Sequence, residues 1–167
     1  MMLNIAIIGC GQIGSRHLQA LSRLNNKITI YLVDNSEVSI KIAKERFKEV
    51  VEKNKKEKLN IKIRNINQIE DDIDVAIIAT NSLSRSKVTK ELVLNNKIKY
   101  IIFEKFLFPI KSDYNEISTL LEKNNIKSWV NQWICSTIEF QQIIKWLLGN
   151  DKVEIVVSGN GFGLGCN

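Results

Sequence analysis

The chain has 167 residues, 44% of them apolar and 25% charged, with a single proline and a formal net charge of +6. That length suits one well-covered core and is too short for two ordinary domains, and the composition is that of an ordered α/β protein rather than a disordered one. No apolar run approaches the ~18 residues of a membrane span, and the opening residues lack a basic n-region and a cleavage site, so no membrane partner is expected and the expected compartment is the cytoplasm.

In chain order, Ile5-Ala6-Ile7-Ile8 comes first, a short and uniformly apolar run of the kind that forms a central parallel strand covered on both faces. It breaks into Gly9-Cys10-Gly11-Gln12-Ile13-Gly14, a G-x-G-x-x-G turn, and restarts as a helix whose apolar stripe is read as Ile13, His17, Leu18, Leu21 and Leu24. In such a turn Gly9 makes the tight bend, Gly11 lets the backbone approach a pyrophosphate, and Gly14 lets the helix pack close on the strand. The free N–H groups at the helix start, at Gln12 and Ile13, then face the phosphates. Cys10 sits inside this turn. A helix N-terminus can lower a thiol pKa, but the plainer reading is a small residue filling the bend. With Cys135 and Cys166 it makes an odd, widely spaced set that fits neither a metal site nor a disulfide framework.

A second strand, Ile28 to Val33, ends in Asp34, twenty residues past Gly14. A carboxylate there accepts both hydroxyls of a ribose and repels a 2′-phosphate, and no arginine follows at Asn35 or Ser36, so NAD is expected over NADP. The competing role for Asp34, Asn35 and Ser36 is to cap the next helix.

Ser36 is the expected N-cap of a helix to about Val51, with Val38, Ile42, Phe47 and Val50 or Val51 inward. The lysines and arginine between Lys41 and Lys58 alternate with Glu45, Glu49, Glu52 and Glu57, and only Phe47 among them is aromatic. That is a solvated face with i,i+4 pairs, without the stacking platform a nucleic-acid partner requires. Residues 60–64 alternate as a half-exposed edge strand. Ile66, Ile69 and Ile73 suit a short helix or turn, and Val75 to Ala79 is another buried strand.

Thr80-Asn81-Ser82 follows at the ligand end of that strand, where it also has the chemistry to cap a helix over Ser84 to Asn96. Tyr100 to Phe103 is the next buried strand. It closes in Glu104-Lys105, either an ordinary exposed ion pair or a catalytic group held at a cleft, and its place at a strand's C-terminal end argues for the cleft. Pro109 marks a turn. Ser112 is the expected N-cap of a helix to Asn125 with Ile117, Leu120 and Leu121 inward, and Lys127 to Trp133 reads as a sixth strand. This alternation specifies a doubly wound parallel Rossmann sheet of about six strands.

From Cys135 the pattern predicts an amphipathic helix bearing Ile138, Ile143, Ile144, Trp146, Leu147 and Leu148, stopped by Gly149-Asn150. A strand over Lys152 to Val157 follows. Gly159, Gly161, Gly163 and Gly165 are not expected to make a second phosphate loop, since only Cys166 and Asn167 follow them here. A flexible or partner-dependent tail is expected. The division read from the sequence is a dinucleotide-binding domain over 1–134 and the start of a second α/β domain over 135–167.

The segments Ile5 to His17, Val75 to Thr80, and Glu104-Lys105 together resemble the Gfo/Idh/MocA oxidoreductases, relatives of glucose-fructose oxidoreductase and inositol dehydrogenase, over the chain up to about Gln132. The resemblance implies hydride transfer between a nicotinamide cofactor and a hydroxyl or carbonyl carbon of a sugar, polyol or nucleotide-sugar. It adds Glu104 and Lys105 to the cofactor residues Gly9, Gly11, Gln12, Ile13, Gly14, Asp34, Thr80, Asn81 and Ser82. It makes Lys105 the catalytic residue, touching nicotinamide ribose and substrate hydroxyl, and His17 a packed or capping residue of the fingerprint helix, with no metal required.

Two departures stand out. Phe106 occupies the place where the family usually has proline, which bears on how Lys105 is aimed. The family also continues into a second α/β domain that supplies a catalytic histidine, the substrate pocket and the oligomer interface, whereas Lys152 to Val157 resembles only the first strand of that sheet. The chain alone is therefore expected to fold, to lack dehydrogenase activity, and either to self-associate through 135–167 or to carry a disordered tail from Gly159 to Asn167. The alternative is a non-enzymatic NAD-binding or partner-docking module.

Overall fold

The apolar run at the start of the chain becomes the middle of a parallel sheet because each of its faces meets a layer of helices. The computed structural model describes residues 2–52, 57–149, 152 and 154. Its strands are β1 (Met2–Ile8), β2 (Lys27–Val33), β3 (Leu59–Ile63), β4 (Ile73–Ile78), β5 (Ile98–Phe103) and β6 (Lys127–Val130). Its helices are α1 (Gln12–Leu21), α2 (Glu37–Val50), α3 (Ser82–Asn95), α4 (Lys111–Lys123) and α5 (Ile138–Leu148), with 3-10 turns at Ile66–Gln68 and Trp133–Ser136. The sheet is six-stranded in the order β3-β2-β1-β4-β5-β6, every pair parallel, as the alternation required. None of the helices is long and apolar enough to cross a membrane, among the described residues.

Side-chain alternation divides the core into two layers. Ile5 and Ile7 point to one face and pack with Leu18 of α1 and Ile40, Ala43 and Phe47 of α2. Ala6 and Ile8 point to the other and pack with Leu92 and Val93 of α3 and Ile117 and Leu121 of α4. Each fully buried isoleucine contributes on the order of 2 kcal/mol, so the central strand has no solvent face to leave polar.

Several element details differ from the sequence reading. On α2 the inward stripe is Ile40, Ala43 and Phe47, while Val38, Ile42 and Val50 are exposed. At 100° per residue Val38 and Ile42 lie opposite Ile40, so they cannot share its face, and the smaller Ala43 is what lets the helix sit close. On α1 the buried residues are Gly14, Ser15 and Leu18, while Ile13 is exposed, as is Leu24, which lies past the helix end at Leu21. Gly14 brings the helix against the strand, which leaves Ile13 on the cleft side of its first turn.

Ser36 caps α2 as expected, accepting from the Ser39 N–H at 3.2 Å. Ser112 does not cap α4: the helix begins at Lys111, with Ile110 in the cap position and no side-chain cap. β6 stops at Val130, well before Trp133, because its partner β5 ends at Phe103, which is paired with Val130.

The chain divides into two units, Met1–Val130 and Asn131–Asn167. In the second, α5 begins at Ile138 rather than Cys135 because the Thr137 hydroxyl caps it, accepting from the Phe140 N–H at 3.2 Å. The expected strand over Lys152 to Val157 and the glycine-rich tail lie outside the described residues, apart from Lys152 and Glu154.

Candidate functional site

Strand register places the candidate site residues in one row. Ile8 pairs with Val33 on one side and with Ile78 on the other, and Ile78 pairs with Phe103. The next residue on each strand is therefore Gly9, Asp34, Ala79 or Glu104, all at the carboxyl ends of the strands. Backbone bonds continue the ladder one step further: the Gly9 N–H donates to the Val33 carbonyl at 2.8 Å, that of Ala79 to Ile8 at 2.8 Å and that of Glu104 to Ile78 at 3.2 Å. The chain order reverses between β1 and β4, so this row borders the topological switch point where open α/β sheets bind ligands.

The three glycines have separable roles. Gly9 has φ +95, and a Cβ there would lie 2.9 Å from the Thr80 nitrogen. At Gly14 a Cβ would come within 1.8 Å of the Gly9 carbonyl oxygen, which closes that position to any other residue. At Gly11 a Cβ would meet nothing within 4 Å. Its side faces open space, as a backbone that must be approached by a ligand requires. Gly11 is also the N-cap of α1 and provides no side-chain cap, so the first N–H groups of that helix have no side chain standing in for an anion.

Asp34 is locked onto this turn. One carboxylate oxygen accepts from the Cys10 N–H at 2.6 Å and the other from the Ser36 N–H at 2.8 Å. It thus serves the helix start, as the capping reading required, while each oxygen keeps a lone pair for a further donor. Burial and the neighbouring Asp34 charge push the Cys10 thiol up to about 12, so the helix terminus does not activate it and the plainer reading of this cysteine holds. Among the described residues no cluster of His, Cys, Asp and Glu is suited to a metal ion.

Two hollows lie along the row. The larger, about 630 Å³, is bordered by Gly9, Gly11, Asp34, Thr80 and Asn81, and on its far side by Asn65 and Asn67 after β3 and by Val88 and Glu91 of α3. The smaller, about 330 Å³, is bordered by Gln12, Ile13, Thr80, Asn81, Ser82, Arg85, Glu104, Lys105 and Phe106. Thr80 and Asn81 form the ridge between them, while Gly14 lines neither and packs beneath. Asn81 caps α3, accepting from the Ser84 N–H at 2.9 Å, which leaves its NH₂ group to point elsewhere. The Thr80 hydroxyl is buried without a partner, a donor and acceptor left for a bound group.

The Glu104-Lys105 turn is not an ordinary exposed pair. Glu104 is only 8% exposed, and its Oε1 lies 2.7 Å from Nε2 of His17, reached across from α1. The peptide between Lys105 and Phe106 is cis. Beneath the turn lies Arg85, 2% exposed, whose guanidinium donates to the carbonyls of Thr80, Glu104, Phe106 and Leu107. Burial lowers its pKa and the Glu104 charge opposes that shift.

Sequence reasoning missed Arg85 and the wall made by Asn65 and Asn67. Asn65 and Asn67 follow the C-terminal end of β3 and share the logic that identified Asp34. Arg85 carries no local signal, since it stands on the first turn of α3 and works mainly through carbonyls about twenty residues further along the chain.

A nicotinamide dinucleotide fits these residues. The open side of Gly11, the α1 terminus without a side-chain cap, the oriented Asp34 carboxylate and the orphaned Thr80 hydroxyl are the complements of pyrophosphate, ribose hydroxyls and a polar ring substituent.

Comparison with known proteins agrees. The chain matches, over residues 3–132, the Gfo/Idh/MocA family described as an oxidoreductase family with an NAD-binding Rossmann fold. No curated protein matches. Among solved structures, an NAD-binding oxidoreductase from Klebsiella pneumoniae superposes with a TM-score of 0.64 at 15% identity, over 90% of this chain and 39% of that one. Scyllo-inositol dehydrogenase from Lactobacillus casei, solved with bound NAD(H) and scyllo-inositol, gives 0.64 at 13% identity, over 89% of this chain and 41% of that one. A 3-ketoreductase from Actinomadura kijaniata, in complex with TDP-benzene and NADP, gives 0.69 at 14% identity, over 90% of this chain and 45% of that one. At such identities these likenesses speak for the fold, and the chain spans less than half the length of each. With the family match covering residues 3–132, the chain belongs to the Gfo/Idh/MocA oxidoreductases, in their NAD-binding Rossmann domain.

Proposed function

We propose that this chain is the cofactor half of an oxidoreductase that moves a hydride between NAD and a hydroxyl or carbonyl carbon of a sugar, polyol or nucleotide-sugar. The observation that carries the reading is the row of Gly9, Asp34, Ala79 and Glu104 along two adjoining hollows, with the α1 N-terminus beside it. Gly11, Gln12 and Ile13 would hold the pyrophosphate through their N–H groups, and Asp34 would accept from the adenosine ribose. Asn65 and Asn67 would flank the base. The preference for NAD rests on Asp34, whose carboxylate opposes a 2′-phosphate.

When bound, the nicotinamide supplies the hydride donor or acceptor. Lys105, at the edge of the smaller hollow, would donate to the substrate oxygen and stabilise negative charge developing there. Glu104 and His17 hold that turn. His17 is the only histidine in the sequence, and its ring is engaged with Glu104. The general base that the family resemblance calls for is therefore not among these residues, and we expect the chain alone to bind cofactor without turning over sugars or polyols. Exposed Ile138, Ile143, Trp146 and Leu148 on α5 support self-association through 135–167.

Titration with NADH and NADPH tests the reading. Binding of NADH at least tenfold tighter than NADPH is expected. Failure of both to bind at millimolar concentration would overturn it, and NAD-dependent turnover by the chain alone would overturn the division of labour.

A further inference from the structure

We propose that Arg85 is a positioning residue, with His17 as a second anchor: together they fix the Glu104–Leu107 turn, and so set the nicotinamide side of the cleft independently of the adenosine side. The inference rests on the dinucleotide reading above and goes beyond it in naming what shapes one half of the site. Arg85 stands on the first turns of α3, with its side chain buried under two loops. One terminal nitrogen donates to three carbonyls of the turn, those of Glu104, Phe106 and Leu107, and the other to Thr80 on the loop after β4. A single planar fork therefore joins the carboxyl ends of β4 and β5.

Burying a guanidinium is costly unless its donors are satisfied. Four carbonyl acceptors and the nearby Glu104 charge meet part of that requirement at the two terminal nitrogens, while Nε is buried without a partner, so the cation depends on the turn as the turn depends on it. From the opposite side, His17 on the fingerprint helix holds the Glu104 carboxylate at 2.7 Å. The turn that carries Lys105 is thus clamped at its backbone by α3 and at its preceding side chain by α1. Gly9, Gly11 and Asp34 make none of these contacts, which is why the two halves should be separable.

The test uses the full chain and two probes, NADH and ADP-ribose, which share the adenosine and pyrophosphate parts and differ in the nicotinamide. Hydrogen exchange of the ligand-free protein is read alongside. The wild-type chain should favour NADH over ADP-ribose severalfold. In Arg85→Met and Arg85→Lys the ADP-ribose affinity should stay within twofold of wild type while the NADH preference falls to about unity, because an ammonium cannot reach four carbonyls. His17→Leu should do the same and His17→Gln, which can still donate to Glu104, should restore the preference.

In ligand-free protein, amides 104–107 should exchange at least tenfold faster in Arg85→Met and His17→Leu, with β1 and β2 unchanged. Should Arg85→Met fail to fold, the half-buried His17 pair carries the test. Equal loss of both ligands in folded variants, an unchanged NADH preference, a wild type with no NADH preference, or unchanged exchange at 104–107 would each overturn the proposal. A wild type that binds neither ligand would instead sink the dinucleotide reading, and exchange at 104–107 would then decide the brace by itself.

Discussion

The glycine turn after β1 and the Glu104–Leu107 turn after β5 border the same cleft and are held by different means. The first is built from backbone: Gly9 in a left-handed conformation, Gly14 against the Gly9 carbonyl, and Asp34 bonded to the Cys10 N–H. The second is held by side chains from afar, with Arg85 donating to its carbonyls and His17 meeting Glu104 across 87 residues of sequence. A backbone-built element tolerates almost no substitution at Gly9 and Gly14 and takes only one side chain, Asp34 of the neighbouring strand, as support. A side-chain-built element tolerates local change but depends on residues remote in the chain.

The sharpest way to break this contrast is at Gly14. Gly14→Ala drives a methyl into the Gly9 carbonyl at 1.8 Å, and overpacking against fixed backbone should cost about 3 kcal/mol or more. Urea denaturation should show a marginal or unfolded chain. Gly9→Ala combines a φ of +95 with a 2.9 Å contact and should cost about 2 kcal/mol. Gly11→Ala is the control. With nothing within 4 Å of the added methyl, stability should stay within about 0.5 kcal/mol of wild type, while NADH binding weakens about tenfold because the methyl occupies the ligand's approach. A Gly11→Ala chain that unfolds would show that the turn is not arranged as described.

Two smaller effects sharpen the comparison by leaving the cleft alone. Asp74 lies at the opposite end of the sheet, where it accepts from the Asn4 N–H at 2.9 Å and from Lys99 Nζ at 2.6 Å. Burial raises its pKa, but the Lys99 and Asn4 bonds outweigh burial and hold the carboxyl below its ordinary value. A depressed folded pKa stabilises above the unfolded value, about 3.9, and that contribution is lost as pH falls through the folded pKa. Asp74→Asn should therefore melt below wild type at pH 7, with the gap closing below about pH 4, and the NADH to ADP-ribose preference should not change. The Cys10 thiol, 2% exposed and pushed up to about 12, should resist alkylation by iodoacetamide at pH 8 while the exposed Cys135 reacts. Rapid labelling of Cys10 in folded protein would contradict its place inside the turn.

The same contrast explains what was legible in the sequence. Ile5 to Gly14 and Asp34 could be read directly because their geometry is local: glycine positions, strand length and the spacing to the acid all lie within neighbouring elements. The parallel six-strand sheet followed from the alternation of elements, and the edge position of β3 from its half-exposed pattern. The α2 stripe was misread because Val38 and Ile42 are apolar and sit at plausible spacing, while Ala43, the residue that seats the helix, gives a weak hydrophobic signal. Ser112 has the chemistry of a cap but lies one residue inside the helix. Arg85 and the engagement of His17 were invisible because nothing in their neighbourhood marks them: an arginine in a helix's first turn and a lone histidine gain meaning only when the fold brings Thr80, Glu104 and Leu107 around them.

The proposed nicotinamide dinucleotide site is the row at the carboxyl ends of β1, β2 and β4, held by backbone and by Asp34. Calorimetric titration of NADH into the full chain and into Asp34→Ala tests it most directly. The account predicts one site in the wild type, with affinity reduced about tenfold or more in the variant, as loss of charge-assisted hydrogen bonds to a ribose requires, and with both proteins folded by circular dichroism. Equal NADH affinity in the two folded proteins would contradict it.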